Sequence, residues 1–179
     1  ETLKKAIELG PDQIEAYGLL AGLLRYRLSR AKEANQWMDK LVKTNPKSPK
    51  AHTLRGHHLR SMEANDEAFM EALQALELAP DDRDALRLAA QCALAKKQLD
   101  TARGYAMRGV RVHPTDVEMY GVLSEIEMRD GNKDEAIDTL ERGLKATDRS
   151  PQLLERMAEV LIEIRQLDQA QKVIQELQA

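Results

Sequence analysis

The sequence predicts an all-α fold, a solenoid of about five antiparallel helix pairs, from its composition and from a regular internal repeat. Hydrophobic residues make up 42% of the 179-residue chain but aromatic residues only 3%, so Ala, Leu, Ile, Val and Met must fill the core. Together with 32% charged residues, this composition favours helices over strands, which are rich in β-branched and aromatic side chains. The repeat then decides how the helices are arranged.

Two columns of small residues recur every 34 positions, without a gap between residues 15 and 179. The first column is Ala34, Ala68, Ala102, Ala136 and Ala170, and the second is Gly22, Gly56, Ala90, Ser124 and Ala158. Three units close with a proline, as expected just past the end of a helix, at Pro46, Pro80 and Pro114. A repeat of this length is typical of stacked helix pairs. The small side chains are expected to let the two helices of a pair approach closely.

Each unit is expected to hold two helices, which the apolar spacing places at residues 83–95 and 99–112 in the third unit. The predicted units are residues 15–48, 49–82, 83–116, 117–150 and 151–179, after the end of a preceding repeat in residues 1–14. Pro11 lies 35 positions before Pro46, so one extra residue is expected in the connection before the first full unit. Residues 1–179 are thus predicted to form one domain, either cut from a longer array or with ends covered by self-association.

The array resembles tetratricopeptide repeats, whose 34-residue unit carries a Trp, Leu-Gly, Tyr, Ala, Phe and Pro pattern. The best matches are the two small columns, the three prolines and the stretch GNKDEA at residues 131–136. The resemblance implies a right-handed solenoid. The chain departs from the family at the Trp position, with Gly18 and His52, and at the Leu position, with Arg55. The turn glycine occurs only as Gly131, and the other units have Ser29, Glu63, Lys97 and Arg165.

Composition and motifs disfavour several classes of activity. A net charge of −3 and a pI near 5.9 do not supply the positive field that nucleic-acid binding needs. No apolar run approaches the length of a membrane span. The single Cys92 excludes an intramolecular disulfide, suits a reducing compartment and so slightly favours the cytoplasm.

The chain also lacks the motifs of catalysis and metal binding. There is no Ser, His and Asp motif and no glycine-rich phosphate loop, so no catalytic residue and no cofactor is expected. His52, His57 and His58 are spaced by five and one residues, which places their rings on different helix faces, so no metal site is expected. His57 is expected to face solvent, whereas His58 and Cys92 are expected to pack between units.

Stacked helix pairs form a concave surface lined mainly by the first helix of each unit. The residues of these helices that face away from their partner helices are candidates for binding, namely Leu19, Leu23, Tyr26, Arg27, Lys50, Thr53, His57, Arg60, Arg87, Gln91, Glu118, Glu125, Met128, Glu155 and Glu159. This face begins apolar, turns basic between Arg27 and Arg87, and turns acidic from Glu118 onward. We expect a bound peptide to place an acidic or apolar part toward the first units and a basic part toward the last.

The resemblance implies a non-enzymatic scaffold that binds a protein or peptide partner in this groove. Some members of the family grip the carboxylate of chaperone tails with Lys and Asn on successive first helices. The corresponding pairs here are Leu19 with Leu23, Thr53 with His57 and Arg87 with Gln91, so this clamp is absent. Two alternatives stay open: a regulatory or substrate-recruiting arm of a larger enzyme, and, against the charge balance, a helical repeat that binds nucleic acid.

Overall fold

Helices form the whole of the regular structure in the computed structural model, which describes residues 1–178. Within that range there are eleven α-helices and no strand: α1 Thr2–Leu9, α2 Ile14–Gly22, α3 Ala31–Thr44, α4 Pro49–Arg60, α5 Asn65–Leu78, α6 Arg83–Ala95, α7 Leu99–Val112, α8 Val117–Asp130, α9 Lys133–Ala146, α10 Pro151–Glu163 and α11 Leu167–Leu177. A π-helical turn, Leu23–Arg27, continues α2. The all-α prediction is confirmed. No helix of the described residues is both long and apolar enough to cross a membrane.

The contacts between helices divide the chain into two compact parts, with the border inside α6. These parts are the first unit, residues 1–88, and the second unit, residues 89–179, and each 34-residue segment of the chain is a repeat. In the first unit each of α1 to α4 contacts the next helix along the chain, and α2 also contacts α4. In the second unit each of α7 to α10 contacts the next helix, and α8 also contacts α10. Each unit therefore sets two first helices, those that open a repeat, beside one another.

Side-chain caps begin several first helices at the same position of the repeat. The N–H groups of Ala51, Ala85 and Met119 donate to the side-chain oxygens of Ser48 (3.3 Å), Asp82 (2.8 Å) and Asp116 (3.2 Å), respectively. Such a cap satisfies one of the free N–H groups of the first turn. Together with the prolines a few residues earlier, these caps fix where each repeat starts.

A left-handed residue ends the first helix of every repeat. Its φ is positive at the corresponding position of all five: Ser29 (55°), Glu63 (60°), Lys97 (60°), Gly131 (84°) and Arg165 (65°). After the last four of these, the next N–H group donates to the carbonyl five residues back, which closes the helix end. Only Gly131 adopts this conformation without steric cost, because the other four residues carry a Cβ atom.

Lys97→Gly should raise the free energy of unfolding by about 1 kcal/mol, because glycine removes the Cβ strain of the left-handed conformation. Lys97→Ala keeps the Cβ atom and serves as the matched control, for which no comparable gain is expected. Urea denaturation of both variants measures the difference. Equal stability of the two variants would contradict the assignment of strain to this backbone position.

The alanine column that begins at Ala34 lies at helix contacts, as predicted. Every alanine of the Ala34 column is buried, with at most 2% of its surface exposed. Gly143 of α9, which lies outside the two columns, is also closely packed, because a Cβ atom there would lie 2.7 Å from Tyr120 Cγ and 2.9 Å from Leu153 Cδ1. Gly104 of α7 differs, since an added Cβ atom meets no other atom within 4 Å. Close packing therefore requires glycine at position 143 but not at position 104.

Gly143→Ala should lower the free energy of unfolding by roughly 1–3 kcal/mol through overpacking. Gly104→Ala should raise it by about 1 kcal/mol, because alanine is the better helix former and the added methyl group finds open space. Thermal and chemical unfolding of the two variants compare the same substitution in two surroundings. A shift of the same sign in both would argue against the packing difference.

The first repeat departs from the predicted register by one residue. The interval from the start of α2 at Ile14 to the start of α4 at Pro49 is one residue longer than the equal intervals between the later first helices. The extra residue lies in the π-helical turn, where the Leu28 N–H donates to the Leu23 carbonyl (3.1 Å). The expectation that it lies in the preceding connection was therefore wrong, because the helix itself absorbs it.

This shift changes which residues of α2 pack inward. Gly22 meets no atom within 4 Å of an added Cβ, so its predicted place in the second small column was wrong. Ala21, which takes the position equivalent to Gly56 in the shifted register, is buried instead. Tyr17, equivalent to His52 in that register, is fully buried and packs edge-on against Trp37, with ring centroids 6.1 Å apart. An aromatic side chain thus does fill the Trp position of the first repeat.

Polar contacts with neighbouring carboxylates explain why the second repeat has His52 at the Trp position and Arg55 at the Leu position of the family pattern. Arg55 of α4 donates to Asp39 Oδ1 through Nη2 (2.8 Å) and pairs with the buried Glu71. His52 contacts Glu71 Oε2 through Nδ1 (2.7 Å) and the Pro46 carbonyl oxygen through Nε2 (3.0 Å). Glu71 therefore links both unusual side chains, and a buried carboxylate with such partners avoids the cost of an unpaired charge.

Candidate protein-binding surface

A cleft of about 490 Å³ lies between α2 and α4 of the first unit. Its lining, here called the α2–α4 cleft, consists of Glu15, Gly18, Leu19, Lys50, Thr53, Leu54, His57 and Asp84. Four of these residues, Leu19, Lys50, Thr53 and His57, belong to the predicted groove. The volume is within the range of sites that hold small ligands or single side chains of a partner.

The floor of the α2–α4 cleft is apolar because α2 carries glycine where it faces α4. A Cβ atom on Gly18 would lie 3.1 Å from Leu54 Cδ2, so the missing side chain leaves Leu54 accessible in the cleft. Leu19 stands at the edge with 64% of its surface exposed. Leu23 and Tyr26 follow at spacings of four and three residues, and Tyr26 is 70% exposed. Leu19 of α2 and Leu23 and Tyr26 of the π-helical turn thus form an exposed apolar stripe along the first helix of this repeat.

Ion pairs balance much of the charge around this cleft. Lys50 of α4 pairs with Glu15 of α2, and its hydrogen bond lowers the pKa of the Glu15 carboxyl. Arg87 Nη2 donates to Asp84 Oδ1 at 2.9 Å. Both Lys50 and Arg87 are among the predicted basic residues of the groove. The pairs leave a nearly neutral rim, and the exposed Arg27 and Arg60 supply the remaining positive charge of the candidate residues in this unit.

His57 lines the cleft in a half-buried position rather than facing solvent, so that expectation was wrong. Burial lowers the pKa of its imidazole, and the nearby positive charges of Arg60 and Arg87 lower it further. Asp84 acts in the opposite direction. The neutral ring is therefore favoured near neutral pH, which keeps this wall of the cleft uncharged.

Arg60→Gln should raise the pKa of His57, because removing a neighbouring positive charge lowers the cost of protonating the ring. An NMR titration of the imidazole C–H resonances follows this shift. Lys43→Gln removes another exposed positive charge, from α3, and is the control. A pKa of His57 that is the same in the parent chain and both variants would refute the electrostatic role of Arg60.

The second unit has a comparable cleft of about 460 Å³ between α8 and α10. This α8–α10 cleft is lined by Val117, Glu118, Gly121, Val122, Glu125, Gln152, Leu153 and Arg156. Glu125 accepts a hydrogen bond from Arg129 (2.6 Å), and Arg156 donates to Glu159 (3.0 Å). The cleft combines an apolar floor with acidic groups whose charge is partly balanced.

The remaining candidate residues of the predicted groove lie in varied surroundings. Thr53 is buried, and its hydroxyl donates to the Lys50 carbonyl (3.0 Å), so it offers little surface to a partner. Met128 packs against the core of the second unit. Arg87 and Gln91 are half-buried on α6, whereas Glu155 and Glu159 are exposed on α10. Contact of these residues with a partner stays a prediction.

Sequence reasoning missed two residues that shape the α2–α4 cleft, Gly18 and Leu54. The regular repeat spacing assigns Gly18 to the Trp position. The longer spacing of Pro11 and Pro46 was the available signal. With that spacing Gly18 takes the position of the repeat that the groove residue Thr53 takes in the next one.

His52, His58 and Cys92 are placed as structural residues. His58 Nε2 lies 2.8 Å from Asn35 Oδ1, Cys92 is buried, and His52 belongs to the Glu71 network. Among residues 1–178, no group of three or more His, Cys, Asp or Glu side chains is arranged to hold a metal ion.

Comparisons with known proteins identify the fold. No family model matches the chain, and no curated protein matches its sequence. Solved structures match it over most of its length. TTC0263, a thermophilic TPR protein in Thermus thermophilus, is 19% identical with a TM-score of 0.72, and the match covers 89% of this chain and 88% of that one. PilF of Pseudomonas aeruginosa is 17% identical with a TM-score of 0.73, over 91% of this chain and 74% of that one.

A third structure, YrrB, is described as a TPR protein with an unusual peptide-binding site. It is 18% identical with a TM-score of 0.64, over 99% of this chain and 91% of that one. Identities this low support a statement about fold alone. Together with the sequence repeat and the paired helices, they show that the chain has the fold of tetratricopeptide-repeat proteins.

Proposed function

We propose that the chain is a non-enzymatic interaction module that binds a peptide segment of a protein partner along its first helices. The α2–α4 cleft is the main anchor in this proposal. Its support is the apolar floor at Leu54 together with the exposed stripe of Leu19, Leu23 and Tyr26. Exposed apolar side chains grouped beside a cleft commonly mark a site of interaction with a partner.

The first helices are suited to this role because their packing holds the surface in place before a partner arrives. α2 contacts α1, α3 and α4, so Leu19 and Leu54 belong to a fixed scaffold. A preformed cleft loses little conformational entropy on binding. Apolar anchors that enter such a cleft usually contribute most of the binding free energy, and the surrounding polar groups select the partner.

The charges along the first helices supply the second part of the proposal. In the first unit Arg27 and Arg60 flank the apolar stripe and favour a segment that is apolar with acidic neighbours. In the second unit Glu118, Glu125, Glu155 and Glu159 favour a basic segment. Such complementarity acts mainly on the association rate and on the choice of partner.

Leu19→Asp should weaken peptide binding by roughly 10-fold or more, because it places a charge at the mouth of the apolar cleft. Random peptides selected by phage display on the whole chain provide the probes, and fluorescence anisotropy measures their affinity. We expect the selected peptides to share an apolar residue, with acidic neighbours.

Met70→Asp is the matched control, since Met70 lies on α5 outside the cleft and is 56% exposed, close to the 64% of Leu19. This control should change the affinity little. Arg60→Glu should slow association of the acidic peptides without unfolding the chain. Equal loss in the Leu19 and Met70 variants, or no loss in either, would show that the peptides bind elsewhere and would remove the support for the cleft.

A further inference from the structure

A third cleft, in the second unit, is lined by arginines of two second helices. It has a volume of about 480 Å³, and the residues that matter here are Gly104, Met107, Arg108 and Arg111 of α7, Leu123 of α8 and Arg142 of α9. We name it the arginine cleft. The candidate groove residues of the first helices do not line it. It is therefore a surface separate from the α8–α10 cleft.

The charged residues that line the arginine cleft are all arginines, although Arg142 also pairs with an acid outside the lining. Its lining includes three arginines and, among the described residues, no carboxylate. Asp138, whose Oδ2 lies 3.3 Å from Arg142 Nε, stands outside the cleft on the exposed surface of α9. Guanidinium groups gathered at one cleft whose wall carries no acid attract an anionic group.

Arg142 is held in position by its own helix. Its Nη2 donates to the hydroxyl of the buried Thr139 at 3.1 Å, and its Nε lies beside Asp138. A guanidinium group has five N–H donors in a planar fork, so these contacts leave donors for a bound carboxylate. Fixing the side chain in advance lowers the entropy cost of that contact.

The apolar part of the cleft is also open. Met107 exposes 55% of its surface, and Leu123 forms part of the floor. Gly104 stands in the middle of α7, where an added Cβ atom meets no other atom within 4 Å. Helix packing therefore does not require this glycine, although glycine weakens the helix. Its absent side chain leaves room beside the arginines.

We infer that the arginine cleft binds an acidic segment of a protein partner, in which carboxylate side chains flank an apolar residue. The carboxylates would accept hydrogen bonds from Arg111 and Arg142, and the apolar residue would contact Met107 and the half-buried Val110 beside Gly104. Clusters of arginine are the usual means by which proteins recognise acidic motifs. The arginines and the apolar floor of the cleft thus together determine which partner segment binds.

The test uses the whole chain and two short labelled peptides of equal length. One peptide consists of Glu and Asp with two central Leu residues, and in the other every acid is replaced by its amide. We expect the acidic peptide to bind and its amide counterpart to bind at least about 10-fold more weakly, with an affinity that falls as salt rises. An amide peptide that binds equally well would overturn the inference.

Two variants locate the binding. Arg111→Glu combined with Arg142→Glu should lower the binding affinity of the acidic peptide by roughly 10-fold or more. Arg129→Glu combined with Lys133→Glu changes the net charge by the same amount elsewhere on the unit and should have a much smaller effect. Equal losses in the two double variants would reduce the effect to general electrostatic attraction and refute a site at the cleft.

Gly104→Leu tests the site without changing any charge. The space around Gly104 lets the chain keep its fold, which circular dichroism checks, while the leucine side chain fills part of the cleft. Binding of the acidic peptide should fall several-fold. Unchanged binding would show that the peptide does not enter the cleft. Displacement of the peptide by a single-stranded RNA of equal length at lower concentration would replace the inference with a nucleic-acid site.

Discussion

Neighbouring helices pack close together in this structure because alanine or glycine occupies the contact between them. Where Gly143 meets Tyr120 and Leu153, even one methyl group has no room. Small side chains let the helices approach, and larger buried side chains such as Tyr120 and Leu153 fill the space beside them. The opposite faces of the same helices take no part in this contact, so they can carry the varied residues of the clefts.

The second repeat shows that this packing tolerates charge when the charges come as a set. Arg55 and His52 replace apolar residues of the repeat pattern, and Glu71 contacts both of them, while Asp39 holds the other side of Arg55. Removing one member leaves a buried charge without its partner, which costs more than the assembled set contributes. We therefore regard these positions as one structural unit rather than as independent exceptions.

Much of the fold was accessible from the sequence, and the reasons are physical. The predicted limits of α6 and α7 agree with the structure, since apolar periodicity and a closing proline mark them directly. The repeat placed turns at Glu63, Lys97 and Arg165, but their left-handed backbone could not be read from residues that do not favour that conformation. The register of α2 was ambiguous because Ala21 and Gly22 are both small. That ambiguity hid the α2–α4 cleft, which depends on Gly18 facing α4.

The π-helical turn of the first repeat has a consequence for how such arrays diversify. A residue inserted within a helix turns every side chain before it by about 100° relative to those after it. Ala21 then serves the internal contact and Gly22 is released to the surface, while the downstream helix keeps its partners. A single added codon can thus change which side chains one repeat presents to a ligand and leave the other repeats unchanged.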